Sequence, residues 1–142
     1  EGVVAEIILF AFSGVIAKRL GPVRLLILGA VAGIIRWGVL GSTADLAVIA
    51  VVQWLHGLTF AATHLGAMHF LARAIPREHS ATAQTLYAAL GVGLFMGLAM
   101  ILSGNLYSSL AGTAFHAMAV MSMLGGIAGL VLARFWRGVV LT

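Results

Sequence analysis

Three ionisable side chains interrupt long apolar runs: Glu6, Arg36 and His56. Burying such a group in hydrocarbon costs about 2.5–3.5 kcal/mol on insertion scales, so each marks a candidate functional position. Glu6 precedes Lys18 by roughly 18 Å of helical rise, which puts it near the middle of a spanning segment. At 100° per residue it shares a face with Phe10 and Ser13. A carboxyl group there suits proton carriage; the structural alternative is a hydrogen bond to a neighbouring helix. Arg36 shares a face with Gly29 and Gly33, a surface suited to helix contact. A guanidinium keeps its charge and forks toward oxygen, so it can hold an anionic group or a buried carboxylate. Snorkelling to the interface roughly 7–8 Å away is the alternative.

The run around His56 is the densest in polar groups. On a helical wheel Gln53, His56, Phe60, Thr63, His64 and Ala67 fall within about 100° of arc. A polar stripe on a spanning helix should face a cavity or protein interior, and a packing seam is the competing reading. The next run adds Gln84, Tyr87, Gly91 and Phe95 along one stripe, a candidate substrate wall or a packing face. His69 falls on the opposite side of its helix, His79 in a loop and His116 near a helix end, which are interfacial positions. The histidines give no i, i+4 ligand pair and no H-E-x-x-H, so no metal is expected. A G-x-S-x-G elbow, phosphate loops and nucleotide fingerprints are also missing. The expectation is a protein that is not an enzyme and uses no cofactor.

The elements that must position these residues follow from composition. Of the 142 residues 62% are hydrophobic and 8% charged, against about 25% charged in a soluble domain. Mean hydropathy is +1.12. Too little polar surface exists to coat a water-soluble globule, so the partner is a lipid bilayer. The net charge of +4 marks the ends of spans and gives no reason to expect nucleic acid. Without cysteine, disulfides and Cys-ligated metals are excluded. The start at Glu1, with neither Met nor a signal-type segment, reads as a cut within something longer.

About 20 apolar residues cross a bilayer. Five spans are expected, at about 2–17, 23–40, 44–71, 81–101 and 113–132: an all-α, polytopic membrane bundle. Continuous runs argue against a β-barrel, whose strands alternate. Lys18, Arg19 and Arg24, then Arg73 and Arg77, then Arg134 and Arg137 fall on alternate connections, with no cation on the others. The positive-inside rule places that side, and the C-terminus, in the cytoplasm. Gly21-Pro22 and Pro76 punctuate the helices, and Asp45 is placed to cap the third. Gly29/Gly33, Gly93/Gly97 and Gly125/Gly129 are small-xxx-small pairs suited to close helix contact.

Taken together, Ala5-Glu6-Ile7, Trp54-Leu55-His56-Gly57-Leu58-Thr59-Phe60 and Leu102-Ser103-Gly104-Asn105-Leu106-Tyr107 resemble stretches of the major facilitator superfamily. The likeness covers the whole chain, as spans eight to twelve of twelve, in the branch that holds phenylpropionate and lactose permeases. Gly14-x-x-x-Lys18-Arg19-x-Gly21-x-x-Arg24 is similar to the superfamily's cytoplasmic loop motif without its acidic member. The resemblance implies a role in the substrate and proton network for Arg36 and His56, which keep the separation of a functional Arg–His pair in lactose permease. Gln53 and Thr59 stand where that relative has a Lys and a proton-bearing Glu, which leaves Glu6 as the leading coupling carboxylate.

The expected function is therefore secondary active transport in the inner (plasma) membrane. It would be proton-coupled symport of a small organic solute such as an aromatic acid, sugar or nucleoside. The missing N-terminal half would be a partner in forming the cavity. The candidate pathway residues are Glu6, Arg36, Gln53, His56, Thr63, His64, Gln84 and Tyr87. A facilitator or drug exporter on the same scaffold, or an assembly subunit in which Glu6 and Arg36 merely pair, are the alternatives.

Overall fold

Continuous apolar runs broken by Gly-Pro, Gly-Ser-Thr and Ile-Pro produce five helical stretches in a computed structural model that describes residues 2–140. Glu1, on which the reading of a cut start rests, lies outside the described residues. The first stretch is α1 (Gly2–Ala11) followed, across a turn at Phe12, by α2 (Ser13–Leu20). α3 (Pro22–Ser42) is unbroken. α4 (Leu46–Gln53) passes through a π-helical turn at Leu58–Ala62 into α5 (Thr63–Ala74). α6 (Ser80–Leu86) continues through a second π-helical segment, Tyr87–Phe95, into α7 (Met96–Leu110). α8 (Phe115–Phe135) ends the bundle. No strand occurs among the described residues. Pro22–Ser42, Leu46–Ala74 and Arg77–Phe135 are long and apolar enough to cross a membrane.

Local chemistry sets several boundaries. Pro22 opens α3 at a position where a missing N–H costs nothing. Asp45 caps α4, its carboxylate accepting from Ala47 N at 2.8 Å and Val48 N at 3.4 Å. The stretch from Ser103 to Ser109, expected to leave the helix, stays inside α7. Ser103 donates to Met100 O and Asn105 to Ile101 O, while Ser108 donates to Asn105 O. Polar side chains that bond back onto their own helix carry no unmet polarity into the apolar phase. The helix breaks only at Ala111, whose φ of 49° is the one positive value on a non-glycine residue described.

Packing centres on α3. It lies against α8 over the most extended contact in the molecule and against α5 and the first π turn on its other side. Leu9, Ala17, Leu25, Ala61 and Ala62 form the core, so α1, α2, α3 and the π turn meet on small or branched side chains. Trp37 stacks on Phe115 with centroids 5.7 Å apart, fixing α3 to the start of α8. Large apolar side chains cover the outward faces, as on a surface that meets lipid tails. Of the expected glycine pairs, Gly29 and Gly33 lie at helix contacts, and Gly129 meets Ile27. Gly97 and Gly125 have nothing near enough to meet a side chain.

Gly57 is where backbone meets backbone. A Cβ there would stand 2.8 Å from the carbonyl carbon and oxygen of Ala5, neither of which can swing aside. Gly57→Val is therefore expected to destabilise the protein by about 1–3 kcal/mol or more through overpacking. Gly38→Ala, where nothing lies within 4 Å, is expected to be neutral or mildly stabilising. Thermal melting of the two detergent-solubilised variants checks the contrast.

Candidate functional site

The helix carrying His56 does not wind evenly. Trp54 N and Leu55 N bond three residues back, to Val51 O at 3.3 Å and Val52 O at 3.0 Å, so the chain tightens there. It then widens into the π turn Leu58–Ala62. Such local rewinding re-aims side chains and recurs at functional sites. Here it divides the polar stripe between two neighbours.

One set turns toward α1. His56 Nε2 and Glu6 Oε1 lie 2.6 Å apart, the short spacing of a charge-assisted bond. Their side chains are 31% and 19% exposed, so the pair is mostly sheltered. Below it, His56, Phe60 and His64 stack almost parallel, with centroid spacings of 6.0 and 6.3 Å and interplanar angles of 7° and 6°. Phe10, one turn after Glu6, meets His64 edge-on at 6.5 Å. Tyr87 leans on the other side of His64 at 6.1 Å. Nδ1 of His56 is buried and has no hydrogen-bond partner.

The other set turns toward α3. Arg36 is buried, at 7% exposure. Its Nε and Nη2 both donate to Gln53 Oε1, at 3.1 and 2.9 Å, and its Nη1 donates to Thr59 Oγ1 at 3.3 Å. Thr59 in turn donates to the His56 carbonyl at 3.0 Å, linking the two sets through one hydroxyl. Arg36 does not pair with Glu6. Neutral oxygens hold the guanidinium, with the Trp37 ring centroid 4.4 Å from its central carbon. The absent side chain of Gly29 makes room for Thr63 and the Leu58 carbonyl, which lets α3 bring Arg36 this close.

A cavity of about 680 Å³ opens between α3, the first π turn, α7 and α8. Arg36, His56, Thr59 and Thr63 give it polar points, and Phe60, Trp37, Met96, Met118 and Met121 give it a soft apolar wall. Its volume is in the range of small-molecule sites, about 300–1,000 Å³.

Of the residues expected at the site, Glu6, His56, Arg36, Gln53 and Thr63 come together. His64 and Tyr87 extend the aromatic column. Gln84 does not reach it: exposed on α6, its amide donates to Ser80 on its own helix at 3.2 Å. The wheel missed Thr59 as the hinge between the two sets, because it assumes even winding. It also missed the methionines of α7 and α8, which no polar signal marks. His116 lies at the far end of α3, against Ser42 Oγ at 3.2 Å and Thr113 O at 3.1 Å, outside this cavity.

The sequence family described as MFS_1 like matches residues 1–117, most of the chain. The chain belongs to this family. A relative named "Probable 3-phenylpropionic acid transporter", from Escherichia coli (strain K12), is 35% identical over 122 residues, covering 86% of this chain and 32% of its own length. A second, "Uncharacterized transporter YwbF" from Bacillus subtilis (strain 168), is 27% identical over 92 residues, covering 65% of this chain and 23% of its own. The chain thus spans about a third or less of the length of these curated relatives. No solved structure matches it. Membership of this family, together with the apolar helices, makes this a membrane protein.

Proposed function

We propose that this member of the MFS_1-like family is the C-terminal portion of a secondary transporter of the inner membrane that moves a small organic solute together with protons. The observation that supports this most is the Glu6–His56 pair, 2.6 Å apart, lying beside a cavity that also holds a buried Arg36. Ionisable groups deep in an apolar bundle cost free energy, and a proton site next to a substrate site gives both the pair and the guanidinium a use. Glu6 and His56 together would form the proton site, the carboxylate offsetting the charge of a protonated imidazole. Arg36, set by Gln53 and Thr59, would orient the solute against the methionine wall. Alternating access would come from rocking of this bundle against the other half of the transporter. Among aromatic acids, sugars and nucleosides, the aromatic acid fits best, because the cavity has one cation and an otherwise mostly apolar wall. The named substrate of the first relative, 3-phenylpropionic acid, is the natural probe. No catalytic chemistry is required of any residue in the site.

In proteoliposomes holding the full-length transporter that carries this chain, an interior-alkaline pH gradient is expected to drive radiolabelled 3-phenylpropionate uphill, faster than in protein-free vesicles, and a protonophore to collapse the gain. Protein-dependent uptake that ignores the protonophore would point instead to a facilitator on the same scaffold.

Orientation follows from charge. Lys18, Arg19 and Arg24, Arg73 and Arg77, and Arg134 and Arg137 gather at the α2–α3 turn, the α5–α6 turn and the C-terminal end. We place these on the cytoplasmic side. A single Cys introduced at Glu78 is expected to resist an impermeant thiol reagent in intact cells, and one at Thr43 to react. Labelling at position 78 from outside would reverse the orientation.

A further inference from the structure

We infer that the π-helical run Tyr87–Phe95 is a winding switch, which turns α7 about its own axis and exchanges one wall of two neighbouring chambers while the rest of the bundle stays fixed. The switch goes beyond the transport reading above and holds whatever solute the cavity takes.

The run is long for its kind. π winding is rare and mostly confined to single turns, like the one at Leu58–Ala62. From Tyr87 it lasts nine residues, and the chain then tightens at once, with Met96 N bonded three residues back to Gly93 O. In π winding each N–H reaches five residues back, and in α winding four. Rewinding the run as α-helix therefore carries each later residue about one position further round, a turn of about 100°. Each N–H only passes from one carbonyl of the rod to the next, so no backbone group is left unpaired in the apolar phase. Glycine accepts the φ/ψ spread that two windings demand, and Gly91 and Gly93 both lie inside the run.

What turns is a wall. Met96, Met100, Ser103 and Tyr107 fall within about 60° of arc on α7. Met96 lines the cavity of about 680 Å³. Met100, Ser103 and Tyr107 line a second cavity of about 430 Å³, which shares Trp37 and Met118 with the first. A turn of one residue replaces the four in order by Phe95, Ala99, Leu102 and Leu106. Two hydroxyls thereby leave the second chamber and two leucines enter it. The edge contact of Tyr107 with Phe115, centroids 6.2 Å apart, latches the winding shown.

The helices around it cannot follow. α3 is keyed to both neighbours by approaches too close for a methyl group. A Cβ on Gly66 of α5 would stand 2.9 Å from the Pro22 carbonyl oxygen, and one on Gly129 of α8 would stand 3.0 Å from Ile27 Cγ1. A Cβ on Gly33 of α3 would stand 3.0 Å from the Ser122 Cβ of α8. Turning any of these rods alone drives side chains into space that is already filled. At the near end of the run, Tyr87 leans on His64 of α5 with centroids 6.1 Å apart and holds α6 in place. The run stands between that anchor and α7, so a change of winding within it is passed to α7.

The test uses the full-length transporter in membranes, with any reactive cysteine outside this cysteine-free chain replaced. Two double variants, Met100→Cys/Met118→Cys and Ala99→Cys/Met118→Cys, report the two windings through a short bis-maleimide cross-linker, the linked product being read by mass spectrometry. Both pairs are expected to link, the first severalfold faster. Deletion of Ala89 lets the run close as α-helix with both flanks in their present register. It is expected to leave the 100–118 link within twofold and to slow the 99–118 link at least fivefold. Once linked, the 100–118 pair is expected to lower counterflow of labelled 3-phenylpropionate more than tenfold against the same protein left unlinked. A 100–118 link with none at 99–118, no link in either pair, or a deletion that ends the 100–118 link in protein that still folds would overturn the switch. Should the deletion variant fail to fold, the two pairs in the undeleted protein decide. Counterflow unaffected by the 100–118 link would overturn the part of the switch in transport. Absent counterflow in the unlinked protein would instead overturn the transport reading, and the ratio of the two links would still decide the switch.

Discussion

Glu6→Gln is expected to abolish uphill accumulation of the solute, bringing its inside-to-outside ratio to about one, while solute exchange across the membrane continues. The reason lies in the pair. A carboxamide can still accept from His56 Nε2, so the two side chains can stay paired. It cannot offset an imidazolium. A positive charge on the imidazole would then stand without its partner in a mostly apolar surrounding, which disfavours loading of the proton. Exchange needs only the cavity and Arg36, which the substitution does not touch. Counterflow of labelled solute, measured beside accumulation in the same vesicles, separates these effects. Unchanged accumulation at every pH would remove Glu6 from the mechanism.

His56→Ala is expected to weaken substrate affinity by more than tenfold, about 1.4 kcal/mol. The substitution empties one wall of the cavity, ends the stack on Phe60 and leaves Glu6 charged without its partner. His56→Gln, which can still donate to the carboxylate, is expected to be milder. His69, outside both side-chain sets, provides the control: its alanine variant should change stability by no more than about 0.5 kcal/mol and leave transport unchanged. Equal silence of the His56 and His69 variants in binding and transport assays would reduce the stripe to a packing seam.

Much of this arrangement was legible before any coordinates. Hydropathy, Gly-Pro punctuation and the Asp45 cap are local signals, and a helix in lipid must satisfy its backbone within itself, so they translate directly into helices. The cost of burying charge likewise singled out Glu6, Arg36 and His56. Pairing was harder to read. Arg36 was open to partnering Glu6, yet it binds Gln53 and Thr59, because which faces meet depends on winding that residue spacing alone does not encode. The tight turn at Trp54–Leu55 and the π turn after it send Gln53 and Thr59 toward α3 and His56 toward α1. Ser103 and Asn105 misled for a related reason: polar residues read as a loop when nothing shows that they bond back to Met100 and Ile101. The methionine wall left no signal at all, since apolar residues in an apolar span look alike whether they face lipid or substrate.

The central claim is that solute and proton move together through the Glu6–His56 site. A pH-sensitive dye trapped inside proteoliposomes of the full-length transporter tests it most directly, with protein-free vesicles subtracted and labelled solute counted in parallel. The account predicts protons entering together with the aromatic acid, and no protein-dependent proton entry in Glu6→Gln vesicles that still perform counterflow. Solute entry without accompanying protons in the unaltered protein, or undiminished proton entry with Glu6→Gln, would contradict it.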